Sequence, residues 1–122
     1  MRYDLVFIAA ALACLLVGEC MGIYMGAAQD FTLSPVHAHL NLLGWVTLVI
    51  YGLVHRAYPQ LAASRLAGAQ CATAIVGAVL MPAGIAAAML AHFYLPVFIG
   101  SFAVLAATLM FAFMFARRAA RA

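Results

Sequence analysis

Four long apolar stretches, separated by short polar connectors, occupy nearly the whole chain. Of its 122 residues, 70% are hydrophobic and 7% are charged, and the mean hydropathy is +1.15. A membrane-spanning helix needs about 20 predominantly apolar residues, and a composition this apolar fits a membrane-embedded chain far better than a soluble globular domain. The sequence therefore predicts an all-α integral membrane protein with a single domain, residues 1–122, of four transmembrane helices. We expect these helices at Tyr3 to Ala27, Pro35 to Tyr58, Leu66 to His92 and Leu95 to Arg117.

Two prolines and a serine mark the helix boundaries and bends. Ser34 is a favourable N-cap, and Pro35 suits the first helical turn, where its missing N–H has no partner to lose. The third span is rich in alanine and glycine, which permits close helix packing, and Pro82 predicts a kink within it. We expect the second span to begin directly after Ser34.

Arginine supplies all the formal positive charge, because the chain has no lysine. The connector from Gln29 to Ser34 holds Asp30 and no cation, whereas the other connector and both termini carry the arginines. The positive-inside rule then predicts that both termini lie in the cytoplasm. The expected location of the chain is a bacterial inner membrane. This clustering indicates membrane topology and not nucleic-acid binding. The arginines are Arg2, Arg56, Arg65, Arg117, Arg118 and Arg121.

The first segment has some features of a signal peptide, but its apolar run continues past Cys14 to about Ala28 and is long enough to span. The three cysteines lie in apolar runs without C-x-x-C spacing, so we predict neither a disulfide framework nor a zinc ribbon. The expected partner of the four apolar spans is the lipid bilayer.

Two of the four histidines, His37 and His39, stand one residue apart at the start of the second span. Residues i and i+2 lie about 200° apart around a helix, so one metal ion cannot easily bind both. In a ring of identical chains, both histidines can still serve as metal ligands, because His37 of one chain can face His39 of its neighbour across a head-to-tail contact. Facing imidazoles between apolar walls suit a haem. Gly44 would leave room for the porphyrin, and Trp45 would pack on it.

The motif V-H-A-H-L, in a four-helix unit of this topology, resembles the haem-copper oxidase and nitric oxide reductase superfamily. Catalytic subunits of that superfamily have twelve helices in three pseudo-repeats around three pores. In one repeat the second helix carries H-x-H at its outer end, each histidine ligating the iron of a different haem. In another, the third helix carries copper ligands at its outer end, and His92 in A-H-F-Y lies at the matching place.

The resemblance implies one repeat assembled as a homotrimer, with haem b bound through His37 and His39 near the outer face of the membrane. It implies electron transfer, or binding or reduction of a diatomic gas (NO or O2), with a quinol or a cytochrome as electron donor. Copper or another second metal would use His92. The superfamily's copper site takes three histidines, whereas His92 stands alone, so a low-spin haem is the expectation and reduction of O2 to water is not.

Three polar residues besides His37 and His39 lie in or beside the predicted membrane layer. Glu19, two-thirds along the first span, is a candidate proton relay, partner of His39 or His92, or metal ligand, because an unpaired carboxylate there is costly. His92 is a candidate second metal ligand or propionate partner. His55, beside Arg56, is expected at the cytoplasmic interface.

Other functions are compatible with the same residues. In one alternative, the histidines are structural in a non-catalytic metal-binding membrane protein or copper carrier, for which the thioethers of Met21 and Met25 are suitable Cu(I) ligands. The chain is alternatively an accessory subunit whose histidines ligate the haem of an outside partner. Loss of pigment on replacing His39 distinguishes haem binding from a packing role.

Overall fold

The structure, a computed structural model, describes residues 1–119 and contains no β-strand within them. Arg121, part of the predicted cytoplasmic tail, lies outside the described residues. Four helices in this part of the chain are long and apolar enough to cross a membrane, which confirms the predicted class of multi-pass helical membrane protein. We name the helices α1 (Tyr3–Ala28), α2 (Ser34–Ala57), the one-turn α3 (Pro59–Ala62), α4 (Ala67–Ala91) and α5 (Leu95–Ala119).

The helix boundaries agree with the predicted spans to within two residues, but the predicted N-cap is wrong. Ser34 is already the first residue of α2, and Leu33 precedes it as the cap. The Ser34 hydroxyl donates to the carbonyl of Phe31 at 2.7 Å, so it does not accept from the first helical N–H groups. The start of α2 is therefore defined by the turn before it. Helix α4 continues through Pro82 from Ala67 to Ala91.

The middle of α2 has an unusual backbone. Residues Leu40–Thr47 form a π-helix, between α-helical turns at Ser34–His39 and Leu48–Ala57. The Thr47 hydroxyl donates to the carbonyl of Leu42 at 2.8 Å, five residues back. π-Helical turns are rare and occur often at functional sites. This one begins directly after the second histidine of the H-x-H pair.

The bundle consists of two antiparallel hairpins, α1 with α2 and α4 with α5, each packed through glycines. A Cβ on Gly44 would lie 2.6 Å from that of Cys14 in α1, and one on Gly77 would lie 2.8 Å from the Val104 amide nitrogen in α5. Small residues allow this approach, which is how membrane helices gain van der Waals contact. The hairpins meet in a common core, to which α1, α2, α4 and α5 all contribute. Its buried members are Phe7, Ala11, Leu48, Tyr51, Cys71, Ala74, Ala78 and Ala107.

Both hairpins turn at the same end of the bundle, which we call the histidine end. Helix α1 ends at Gln29 and α4 ends at His92, and both residues have the left-handed conformation, with φ of 52°. The opposite end, which we call the arginine end, brings together the start of α1, the connector between α2 and α4, and the last turns of α5. Contacts of Tyr3 with His55 and of Tyr58 with Phe115 show this convergence.

Candidate functional site

His37 packs against α1. Its Cε1 atom would be 3.1 Å from a Cβ on Gly22, so the absence of a side chain at that position admits the imidazole. The Asn41 side-chain amide donates to the His37 carbonyl at 2.8 Å and lies 3.4 Å from the ring nitrogen Nδ1. The second distance is beyond the usual range for such a hydrogen bond. The tautomer of His37 is therefore not fixed by Asn41.

His39 is oriented by a backbone hydrogen bond. Its Nδ1 lies 2.8 Å from the carbonyl oxygen of Pro35, one turn earlier in α2. A carbonyl oxygen can only accept, so Nδ1 carries the proton and, in the neutral ring, the lone pair is on Nε2. This is the arrangement by which metal-binding histidines are held in one tautomer, with the other nitrogen available to the metal.

The two other residues predicted to surround a cofactor are Gly44 and Trp45, both in the π-helical part of α2. Gly44 is buried and faces Cys14 of α1, so its missing side chain serves helix packing. Trp45 is partly buried and packs against the common core.

Glu19 is exposed on α1, about two-thirds of the way along this apolar helix. Its depth follows from its neighbours, because Gly18 lies against Asn41 and Gly22 lies against His37. Glu19 therefore lies at the level of residues 37–41 of α2, close to the level of His39. An ionisable residue on a surface that would face lipid is costly and commonly marks a functional contact.

His92 is exposed at the end of α4. Nine residues separate Glu19 from the end of α1 at Ala28, which is about 13 Å of helix at 1.5 Å per residue. Because His92 lies at the corresponding end of α4, the structure separates it from Glu19 along the membrane normal. Among residues 1–119, no three His, Cys, Asp or Glu residues are close enough together to hold a metal ion.

One buried polar pair does not follow from the sequence pattern. His55, for which the sequence predicts a position at the cytoplasmic interface, lies at the arginine end, is 1% exposed and faces the interior of the bundle. Its Nε2 is 3.2 Å from Oε1 of Gln70, which is fully buried in α4. The ring is surrounded by Phe7, Tyr3 and Phe111 at centroid distances of 5.4, 6.4 and 6.3 Å. The single available signal was Gln70, an amide in an otherwise apolar span.

Comparison of the chain with protein-family models, with curated proteins and with solved structures gave no match.

Proposed function

We propose that this chain is a membrane haem b protein that binds haem between subunits through His39 of one chain and His37 of the next. The assembly is a homotrimer in a bacterial inner membrane, with both termini in the cytoplasm and the haem near the outer face. Its function is electron transfer or interaction with a diatomic gas, with a quinol or cytochrome as electron donor.

The hydrogen bond from His39 Nδ1 to the Pro35 carbonyl is the observation that carries this proposal. It gives His39 the tautomer that a haem iron needs, and it restricts rotation of the ring. His37 lies two residues away, at almost the same depth but against α1. A pair of ligands drawn from one chain is therefore unfavourable, whereas a pair drawn from two adjacent chains is compatible with these orientations.

Glu19 supports the assembly of several copies. Rotation about an axis along the membrane normal leaves every residue at its own depth. Residues that meet across a cyclic interface must therefore share a depth, as Glu19 and His39 do. In the proposed ring, Glu19 lies at the subunit boundary, where it holds a proton or accepts a hydrogen bond from a polar group of the neighbour. A boundary at this position shields the carboxyl group from lipid.

Haem held by two histidines supplies a one-electron centre without a vacant coordination position, and this favours electron transfer over gas chemistry. In this chain, the Pro35 carbonyl orients the imidazole of His39. Apolar packing excludes water, and the carboxyl group of Glu19 lies at the depth of His39. His92, which lies at the end of α4, is proposed as a partner for a propionate or a second metal, such as copper.

The test is an absorption spectrum of the detergent-purified protein, oxidised and then reduced with dithionite, with haem quantified per chain. We expect sharp α and β bands on reduction and about one haem per chain. His39→Ala should abolish these bands, and added imidazole should restore part of them by occupying the vacated space.

The double variant His55→Phe with Gln70→Leu is the control, because it also removes a histidine, but at the arginine end, and it should leave the bands unchanged. A purified protein that takes up no haem when haem is supplied would exclude the proposal. So would a His39→Ala variant with the spectrum of the wild type.

A further inference from the structure

A basic pocket of about 710 Å³ lies at the arginine end, between the connector that follows α3 and the last turns of α5. Arg65, Arg117 and Arg118 line it, and so do the apolar side chains of Leu61, Phe113 and Met114. The pocket therefore combines three guanidinium groups with apolar walls. It lies more than half the length of the bundle from His37 and His39.

These three arginines have no acidic partner among residues 1–119. The chain has three acidic residues in all, Asp4, Glu19 and Asp30, and none of them lines the pocket. Asp4 is occupied elsewhere, because it accepts from Arg2 at 2.8 Å and from Arg56 at 3.5 Å. The positive charge of the pocket is thus not neutralised by the described part of the chain.

Aromatic rings hold two of the guanidinium groups in place. The Arg118 guanidinium lies 4.1 Å from the centre of the Tyr58 ring, and that of Arg117 lies 5.5 Å from the Phe113 ring. Such stacking orders an arginine while leaving its N–H groups free to donate. The Nε atom of Arg118 is buried and has no hydrogen-bond partner within residues 1–119. An N–H donor buried in this way needs an acceptor.

We propose that this pocket binds the phosphate of an anionic phospholipid headgroup. Arginine forks match phosphate oxygens, and basic pockets between helices on the cytoplasmic side bind such headgroups. The positive-inside rule predicts that the arginine end faces the cytoplasm. Leu61, Phe113 and Met114 supply apolar contact for the glycerol and the upper acyl chain. The site is independent of haem binding.

The test is thermal unfolding of the full-length protein in a neutral detergent, with added phosphatidylglycerol, phosphatidylcholine or soluble glycerol phosphate. Phosphatidylglycerol should raise the Tm in a saturable manner, and phosphatidylcholine should not. High salt should remove the effect, because it screens the arginines. Soluble glycerol phosphate tests whether the lipid is needed. If it raises the Tm as much as phosphatidylglycerol does, the pocket binds a soluble phosphate compound and not a lipid headgroup.

Arg65→Gln and Arg117→Gln should each weaken the apparent affinity for phosphatidylglycerol about fivefold, from the contribution of one arginine beside anionic lipid. Arg117→Lys should weaken this affinity less than Arg117→Gln does, because lysine keeps the positive charge. Arg2→Gln is the matched control: it removes a charge from the same end but outside the pocket, and Arg56 remains beside Asp4.

An equal shift of Tm with phosphatidylcholine would overturn the proposal, as would an equal loss of affinity in Arg2→Gln. Circular dichroism of each variant without lipid shows whether it is folded. Salt dependence of the wild type provides a test that needs no variant.

Discussion

The imidazole Nε2 of His55 and the side-chain oxygen of Gln70 lie 3.2 Å apart in the interior of the bundle, and they link α2 to α4. His55 Nδ1 and Gln70 Nε2 have no hydrogen-bond partner among residues 1–119. Among the described residues, the contact with Gln70 is therefore the single side-chain hydrogen bond of His55, and the reverse holds for Gln70. It is positioned where the two hairpins meet.

Removing one member of this pair should destabilise the protein. Gln70→Leu leaves the His55 ring without its partner, and a buried polar group left unpaired costs about 1–3 kcal/mol. The double variant His55→Phe with Gln70→Leu removes both polar groups and should recover much of that loss. A double-mutant cycle, measured by denaturant unfolding in mixed micelles, gives the coupling. Gln60→Leu, at an exposed glutamine, provides the control. Additive effects would contradict a direct contact.

Packing of α4 on α5 should depend on Gly84. A Cβ at this position would collide with the backbone of Pro96 and Val97, which cannot move without shifting α5. We expect Gly84→Ala to lower the free energy of unfolding by about 1–3 kcal/mol, as overpacking does.

Gly26→Ala is the matched control, because no atom lies within 4 Å of a Cβ at that position of α1. This change should be neutral or stabilising by up to about 1 kcal/mol, since alanine is the better helix former. Thermal unfolding of both variants gives the comparison. Equal effects at the two glycines would show that helix propensity, and not the contact with α5, determines the result.

The proposed subunit boundary predicts the sign of the effect of Glu19→Leu. At a boundary, loss of the carboxyl group removes a polar contact, so the trimer should dissociate at a higher protein concentration than the wild type. On a lipid-facing surface, the same change would stabilise each chain and leave the mass unchanged. Light scattering in detergent measures the mass. Cys20→Leu, at the adjacent exposed residue of α1, tests whether any added bulk has the same effect.

The loop between α1 and α2 should have a pH dependence that originates at Asp30. Hydrogen bonds from the Thr32 hydroxyl (2.6 Å) and the Thr32 N–H (3.0 Å) lower the pKa of the Asp30 carboxyl group. Because the folded pKa lies below the unfolded one, the stabilisation is complete above the ordinary pKa and is lost as the pH falls through the lowered value.

Thr32→Val removes the hydroxyl and should raise the pKa of Asp30 toward its ordinary value, as followed by carboxyl NMR chemical shifts. Thr73→Val, in α4, should leave this titration unchanged. A pKa that does not move in Thr32→Val would contradict the role of the hydroxyl.

The helices were predictable because hydropathy over about 20 residues is a strong signal. The helix ends were less predictable. Ser34 has a suitable side chain for an N-cap, but its hydroxyl donates to the carbonyl of Phe31, three residues earlier. The π-helix at Leu40–Thr47 has no known pattern in an apolar sequence, and it was not predicted. Placement of His55 depended on Gln70, fifteen residues away, and on the packing of three other helices. The pairing of His39 with Pro35 follows from helical spacing once α2 is known.

The left-handed residues Gln29 and His92 have a consequence for how the chain enters the bilayer. Each closes a helix just before a short connector, and each connector is followed by a helix with proline at its second position, Pro35 or Pro96. Each hairpin therefore begins and ends on one side of the membrane and can insert as a closed unit, tip first. With both termini in the cytoplasm, as proposed, the connectors to be translocated are five residues with Asp30 in one case and three with His92 in the other. In that orientation, no arginine within residues 1–119 has to cross the apolar layer.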